Sequence, residues 1–223
     1  MLQEAQRIVE EKSDFGPLAD NWRVQKAYEE EWALPAIWVM QALQPCKVLD
    51  VGPGYGTLAV AASLLGHEVT AVDLFVSPPA VPGIRWVQDN IQRPGAIPEG
   101  PFGLLVMTEV LEHLCFRPAP LFAGLYLACE VGAQFVGSTP VPEIWEETFV
   151  VPRYELLPEW GEGKAVEDAH MAAYSMWEVA GLLKGAGFAV VEQRKLGRGW
   201  RHWWRAEVQD KDPQRLCTED GKL

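Results

Sequence analysis

An apolar run gives way abruptly to alternating glycines at Val48-Leu49-Asp50-Val51-Gly52-Pro53-Gly54-Tyr55-Gly56-Thr57-Leu58, and this segment limits the fold more than any other. The run before the glycines has the character of a strand covered on both faces. Glycines at alternate positions let the backbone turn sharply and pass close to a ligand, because no Cβ intervenes. The helix that follows from Leu58 offers unpaired N–H groups at its first turn to a carboxylate or phosphate. Strand, loop and helix together predict a ligand-binding turn in an α/β sheet. A G-x-G-x-x-G dinucleotide fingerprint would need glycine where Thr57 stands, so NAD is disfavoured. A P-loop would need a Lys-Ser/Thr pair after the last glycine, and none is there.

The rest of the chain supplies the sheet such a turn requires. Residues 1–45 read as helical with a break at Gly16-Pro17. Trp22, Tyr28, Trp32 and Trp38 recur there near helical spacing, which predicts that they pack on the main body. Strands follow at Lys47–Val51, Glu68–Val72, Ile84–Val87, Leu104–Met107 and Gln134–Val136, with helices at Leu58–Leu65 and around Ala119–Cys129. A helix at Tyr174–Gly185 then precedes strands at Phe188–Leu196 and Trp200–Val208, joined by the turn residues Gly197-Arg198-Gly199. This alternation predicts an α/β fold with a parallel sheet. The expected organisation is a helical segment over 1–45 covering the cleft, a main domain over 46–208 and a polar tail over 209–223. Residues 140–169 break the rhythm with Pro140, Pro142, Pro152 and Pro158, and they carry half of the chain's net charge of −12. They are expected to form a lid-like insertion.

Composition narrows the function classes. With 48% apolar and 10% aromatic residues among 223, the chain can bury a sizeable core. Nineteen basic against 31 acidic side chains disfavour nucleic acid as a partner. The longest apolar stretch, Ala33 to Leu43, is too short and interrupted to span a bilayer. Gln3, Glu4, Arg7, Glu10 and Glu11 give the start no signal-peptide pattern. Cys46, Cys115, Cys129 and Cys217 show no paired spacing. A reduced, cytoplasmic protein with a small-molecule partner is expected, its oligomeric state open.

Asp73 closes the second strand, where a carboxylate can accept both hydroxyls of a ribose lying over the glycine loop. Asp89-Asn90 follows the third strand, where Asp89 either accepts from an adenine amino group or simply ends the strand. Together with the loop, Asp73 and the run Thr108-Glu109-Val110-Leu111-Glu112-His113-Leu114 resemble the class I S-adenosylmethionine-dependent methyltransferases, over roughly Lys47 to Val208. The resemblance implies a seven-stranded, mostly parallel Rossmann-like sheet with helices on both faces, closed by an antiparallel hairpin. It implies S-adenosyl-L-methionine as cofactor, bound at Asp50, Gly52, Pro53, Gly54, Tyr55 and Gly56, at Asp73 and Leu74, at Asp89 and Asn90, and at Thr108 and Glu109. It further implies methylation of oxygen or nitrogen on a small or medium-sized acceptor. Trp22, Trp32, Trp145 and Trp160, in segments that cover the cleft of such enzymes, suit a partly apolar one. A non-catalytic cofactor-binding protein of the same fold is the alternative from another class.

Methyl transfer is an in-line displacement that needs positioning and exclusion of water, and a base only where the acceptor must lose a proton. The candidate catalytic groups are Glu109 and His170. His170 opens His170-Met171-Ala172-Ala173-Tyr174-Ser175, which resembles the element before the penultimate helix of many such enzymes. Glu109, Glu112 and His113 stand at i, i+3 and i+4, on one face if a helix starts there. With His170 they resemble the divalent-cation set of the small-RNA 3′-end and ubiquinone-pathway O-methyltransferases. A metal-assisted O-methyltransferase of RNA 3′ ends or of a catechol-like compound is therefore an alternative. Capping and packing account for Glu112 and His113 without an ion, and no metal is expected. His67, between helix and strand, is expected to be structural.

In the last strand Trp200, His202, Trp204, Ala206 and Val208 alternate with Arg201, Trp203, Arg205 and Glu207. With Arg194, Lys195 and Arg198 this region could stack and pair with single-stranded nucleic acid. The other reading is a tryptophan core face backed by a solvated arginine edge that discourages pairing. The net charge favours the second.

Overall fold

The computed structural model describes residues 1–13, 19–74, 81–145, 149–161, 166 and 168–211. The expected break at Gly16-Pro17 and most of the polar tail, with Cys217, lie outside the described residues. The strands are β1 (Lys47–Val51), β2 (Glu68–Asp73), β3 (Ile84–Gln88), β4 (Phe102–Thr108), β5 (Cys129–Pro140), β6 (Ala189–Leu196) and β7 (Arg201–Glu207). They form one seven-stranded sheet in the order β3-β2-β1-β4-β5-β7-β6. The first five pair in parallel and only β7 runs against its neighbours. This is the mostly parallel sheet with a closing hairpin that the resemblance implies.

Two cores explain why the central strands are apolar throughout. Every residue of β4 is buried, as is all of β1 except Lys47, and alternate side chains go to opposite faces. Val48, Leu104, Val106, Val136 and Trp203 share one core with residues of α1 (Leu2–Lys12), α2 (Ala19–Ala42) and α3 (Thr57–Leu64). Leu49, Val51, Leu105, Met107, Phe135 and Trp204 share the other with α4 (Ala119–Leu127) and α6 (Met176–Gly185). The remaining helix, α5 (Pro142–Trp145), is a single turn after β5.

The sheet corrects the reading of the last strand. β7 is no edge: it inserts between β5 and β6, and both of its faces are covered. Trp203 and Trp204 are both buried, and the Arg194 guanidinium lies 4.8 Å from the centre of the Trp203 ring. The tryptophans are core residues, and Arg201 points to partners inside the fold instead of to solvent. In α2, Trp22 and Trp32 are buried as expected, whereas Tyr28 and Trp38 are 44% and 57% exposed. The inward stripe runs through Glu29, Ala33, Ala36 and Met40, which turns position 38 outward. Helix α6 starts later than expected because Ser175 caps it. Its hydroxyl accepts the Glu178 N–H at 3.3 Å, while the Glu178 carboxylate accepts the Ser175 N–H at 2.7 Å.

His67 is buried and structural: Nδ1 accepts the Cys46 N–H at 3.2 Å and Nε2 faces the Met40 carbonyl at 3.1 Å. Among the described residues Cys46, Cys115 and Cys129 form no disulfide. Among the described residues no helix is long and apolar enough to cross a membrane.

Gly137 tests the packing of the sheet. A Cβ there would lie 2.2 Å from Trp204 Cζ2 and 2.5 Å from the Met107 carbonyl oxygen. Gly137→Ala should therefore destabilise the fold by about 1–3 kcal/mol through overpacking. The measurement is a lowered urea midpoint at unchanged slope; an unchanged midpoint would show that Trp204 yields freely.

Candidate active site

The loops leaving β1, β2, β3 and β4 enclose a cavity of about 310 Å³. Its wall against β1 is the glycine loop, where Gly52, Gly54 and Gly56 have φ of 63°, 56° and 87°, values that favour glycine. Space is also short at Gly52: a Cβ would lie 2.5 Å from Val110 Cγ2. At the end of β2, Asp73 accepts the Gly54 N–H at 3.1 Å and lines the cavity. It therefore braces the loop as well as facing the cavity.

The structure brings Gly52, Gly54, Tyr55, Asp73, Leu74, Asp89, Asn90 and Glu109 to this cavity. Pro53 and Thr108 line a second cavity of about 240 Å³, which shares Gln25, Gly52, Gly54 and Glu109 with the first. Asp50, Gly56 and His170 line neither. Asp50 lies in β1, 2% exposed, with one carboxyl oxygen lacking a partner among the described residues. Burial, reinforced by the charge of Asp73, pushes its pKa up to about 7. Gly56 caps α3 from the left-handed region. The Asp89 carboxylate accepts from Arg93 Nε at 3.1 Å and from the Asn90 N–H at 2.8 Å, while Asn90 Oδ1 accepts the Gln92 N–H at 3.0 Å. These bonds turn the chain after β3, and the one to Arg93 holds Asp89 below the usual carboxylate range.

The Thr108–Leu114 run departs from the expected helix. Only Leu111–His113 forms a single 3-10 turn. Glu109 takes φ 54°, the one positive value at a non-glycine among the described residues. Its carboxylate accepts from Ser138 Oγ at 2.6 Å and Arg201 Nε at 2.9 Å, and Arg201 Nη1 also donates to Glu31 in α2 at 2.7 Å. Its carboxylate is thus bonded to Ser138 and Arg201 and does not join the group formed by Glu112, His113 and His170. Burial raises the pKa of Glu109 against the pull of Arg201.

Glu112 is buried and accepts from Thr139 Oγ1 at 3.0 Å. Burial, and then the charge of Glu109, holds its pKa well above the ordinary value. Single ligand atoms of Glu112, His113 and His170 all lie within 4.8 Å of one another. His113 lines the first cavity, with Nδ1 3.3 Å from Asp168, and its ring meets that of His170 edge-on at 5.0 Å. Burial lowers the pKa of both imidazoles.

Of the covering tryptophans, Trp32 lines the second cavity beside Tyr28. Trp22 braces Tyr55 edge-on at 5.3 Å, and Trp160 packs on Phe116 at 4.8 Å. The side chain of Trp145 lies outside the described residues. Val166 and Asp168 of the insertion also line the first cavity. Sequence reasoning missed Gln25, Glu29, Glu31 and Arg201 as parts of the site. No local motif marks them, because helix α2 and strand β7 bring them in from opposite ends of the chain.

A family model described as a methyltransferase domain matches residues 20–193. The chain belongs to the methyltransferase-domain family. The ubiquinone biosynthesis O-methyltransferase of Azotobacter vinelandii is 32% identical over 102 residues, 42% of this chain and 44% of that protein. The enzyme of the same name from Pseudomonas putida is 28% identical over 136 residues, 56% of this chain and 52% of that one. The chain spans about half the length of the curated relatives it matches. Among solved structures, the 1,6-didemethyltoxoflavin-N1-methyltransferase of Burkholderia thailandensis aligns with a TM-score of 0.62 at 22% identity, over 94% of this chain and 91% of that one. The CcbJ methyltransferase of Streptomyces caelestis aligns with a TM-score of 0.59 at 15% identity, over 80% and 90%. Both likenesses establish the fold. The methyltransferase cofactor is S-adenosylmethionine, and the residues present fit it: the glycine loop carries no side chain into the cavity at Gly52 and Gly54, and Asp73 presents a hydrogen-bond acceptor there.

Asp50 gives the site a measurable pH signature. The folded carboxyl keeps its proton to about pH 7, against an ordinary value of 3.8. Its contribution to stability is therefore complete below the ordinary value and lost as pH rises through the folded one. Asp50→Asn should raise the melting temperature more at about pH 8 than at about pH 5. An equal gain at both would show that the carboxyl does not titrate there.

Proposed function

We propose that the chain is an S-adenosylmethionine-dependent methyltransferase that methylates oxygen or nitrogen on a small or medium-sized acceptor. The observation that carries this reading is the one cavity running from Asp73 and Asn90 past Gly52 and Gly54 to Glu109 and His113. The cofactor supplies an electrophilic methyl group on a sulfonium. Asp73 accepts the ribose hydroxyls, Leu74 and Asn90 border the adenine, and the bare backbone at Gly52 and Gly54 lets the sulfur-bearing arm pass. The curated relatives are named as O-methyltransferases, and the Burkholderia neighbour was solved with 1,6-didemethyltoxoflavin and S-adenosylhomocysteine bound; these names support a small-molecule acceptor. The unpaired cysteines support a reducing, cytoplasmic setting.

Orientation and exclusion of water account for most of the acceleration. Tyr55, Leu114 and Val166 line the cavity and keep water out, and the 140–169 insertion serves as its cover. Where the acceptor must lose a proton, His113 is the better-placed base, because it lines the cavity while His170 lies behind it. Both imidazoles are neutral at neutral pH, since burial holds them below the ordinary 6.5. The acid limb of activity should accordingly fall below pH 6.5.

Asp73→Ala should weaken S-adenosylhomocysteine binding by about 1–3 kcal/mol in calorimetry. Unchanged affinity in a folded variant would remove the ribose assignment. Binding without turnover on any acceptor would favour the non-catalytic alternative.

The grouping of Glu112, His113 and His170 supports a second reading, in which a divalent cation held by the three polarises an acceptor hydroxyl. Glu109, the fourth member of the set implied by resemblance, is committed to Ser138 and Arg201. The metal-free reading expects methyl transfer to survive chelation. Loss of activity on chelation, restored by Mn²⁺, would establish the metal-assisted one.

A further inference from the structure

Strand β6 ends the sheet, and among the described residues it pairs only with β7. Its outer edge therefore offers backbone N–H and C=O groups to another strand along Ala189–Leu196. Proline, which confines a strand to such an edge, is absent from it. The register with β7 sorts its side chains between two faces. Glu192, Arg194 and Leu196 share a face with Trp203, while Gln193 and Lys195 share the other with Trp204 and His202. Val191 is the extra residue of a bulge, where the register shifts between Val190 and Glu192.

Glu192 and Arg194 thus carry opposite charges on one face of the edge, each side chain 41% exposed. Their mutual approach is long, at 3.6 Å, and Arg194 leans on the Trp203 ring with its Nε lacking a hydrogen-bond partner. This spacing matters when the edge meets a copy of itself. A two-fold axis through an antiparallel pair keeps each side chain on its own face. With the axis at Gln193, Glu192 stands opposite the second copy's Arg194, and the same pair forms again by symmetry. With the axis at position 192 or 194, Glu192 faces Glu192 or Arg194 faces Arg194. Only the register centred on Gln193 joins unlike charges. A foreign strand has no reason to match that pattern, whereas a second copy matches it by symmetry.

The start of α6 lies over the same edge, because Gln193 Nε2 donates to the Met176 carbonyl at 2.9 Å. The next residue, Trp177, is 86% exposed, more than any other large apolar side chain among the described residues. Covering it would remove a large apolar surface from water.

We propose that β6 pairs antiparallel with β6 of a second copy about an axis at Gln193, joining the two sheets into one. Glu192 and Arg194 cross the interface twice, and Trp177 is covered at its rim. Strands β5 and β7 separate this edge from the crevice at β1 and β4, so each cavity stays open. The dimer is therefore independent of the methyltransferase reading.

Sedimentation of the full chain should give twice the chain mass at about 100 µM and dissociation on dilution. Glu192→Arg sets like charges opposite each other twice and should weaken association at least about tenfold. Combining Glu192→Arg with Arg194→Glu restores unlike pairs and should recover the dimer. Arg194 also covers Trp203, so if the double variant does not fold, cross-linking decides. Gln193→Cys, on the axis, should form an intermolecular disulfide under mild oxidation, whereas Lys195→Cys, off the axis, should not. A monomeric wild type at that concentration, a dimer indifferent to Glu192→Arg, or equal cross-linking by the two cysteine variants would overturn the proposal.

Discussion

The strand order reverses between β1 and β4, and that reversal creates the site. From β1 the sheet grows one way through β2 to β3 and the other way through β4 to β5. The connections leave in opposite directions, so a crevice opens above the carboxyl ends of the two central strands. Both strands leave the sheet in the left-handed region, at Gly52 with φ 63° and at Glu109 with φ 54°. Glycine adopts this without penalty, whereas for glutamate it costs on the order of 1 kcal/mol. Ser138 on the neighbouring strand offsets that cost at both ends of the residue. Its carbonyl accepts the Glu109 N–H at 2.9 Å, and its hydroxyl donates to the Glu109 carboxylate at 2.6 Å. The strained turn thereby delivers a carboxylate to Arg201 and closes the crevice on the β7 side.

Four acids stand on the elements that build this crevice: Glu29, Asp50 and Glu112, which are buried, and Glu109, which is half-buried and lines it. Burial raises the pKa of every one, and only Glu109 has a cation bonded to it among the described residues. Glu29 and Glu112 rely on neutral donors, Gln6, Gln25 and Thr57 for the first and Thr139 for the second. For the proposed reaction this has a kinetic meaning. A sulfonium loses its positive charge as the methyl group leaves, so ionised carboxylates around it would stabilise the ground state and raise the barrier. Burial opposes ionisation at each of these carboxyls, and Arg201 balances the charge at Glu109, so that penalty is reduced.

The part of the site legible in the sequence is the part made by contiguous residues. The glycine loop, Asp73 at a strand end and the residues after β3 and β4 each carry their own local signal, and the sheet order follows from strand–helix alternation. Three features escaped because their cause is tertiary. The Thr108–Leu114 run has helical spacing, yet Glu109 takes a positive φ and bonds Ser138 and Arg201, and only Leu111–His113 turns helically. Strand β7 has the alternating pattern of an edge with one wet face, yet it lies between two strands with both faces covered. Gln25, Glu31 and Arg201 have no distinguishing neighbours in the chain. Arg201 reaches Glu31 across most of the molecule's sequence, and only the folded sheet brings the pair together.

The two elements beside the crevice, helix α2 and the insertion, are attached by different physics. Helix α2 is fixed by the buried Glu29 hydrogen bonds to Thr57 and Gln6, and by the Glu31–Arg201 ion pair at 2.7 Å. Breaking those bonds would strand polar groups in a low dielectric, which makes α2 a permanent wall. The insertion is tied near the cavity by Asp168 to His113 and by Glu159 to Arg117, with carboxylate side chains 71% and 67% exposed. Exposed pairs of this kind contribute little, about 0–1 kcal/mol each. Main-chain bonds hold it as well: the Pro158 carbonyl accepts the Arg117 N–H at 3.0 Å, the Leu157 carbonyl accepts from Arg117 Nε at 3.0 Å, and the Val150 N–H donates to the His170 carbonyl at 2.8 Å. On the proposed function the acceptor, which must come and go at every turnover, belongs on the side of the insertion, where Asp168 meets His113 at the cavity.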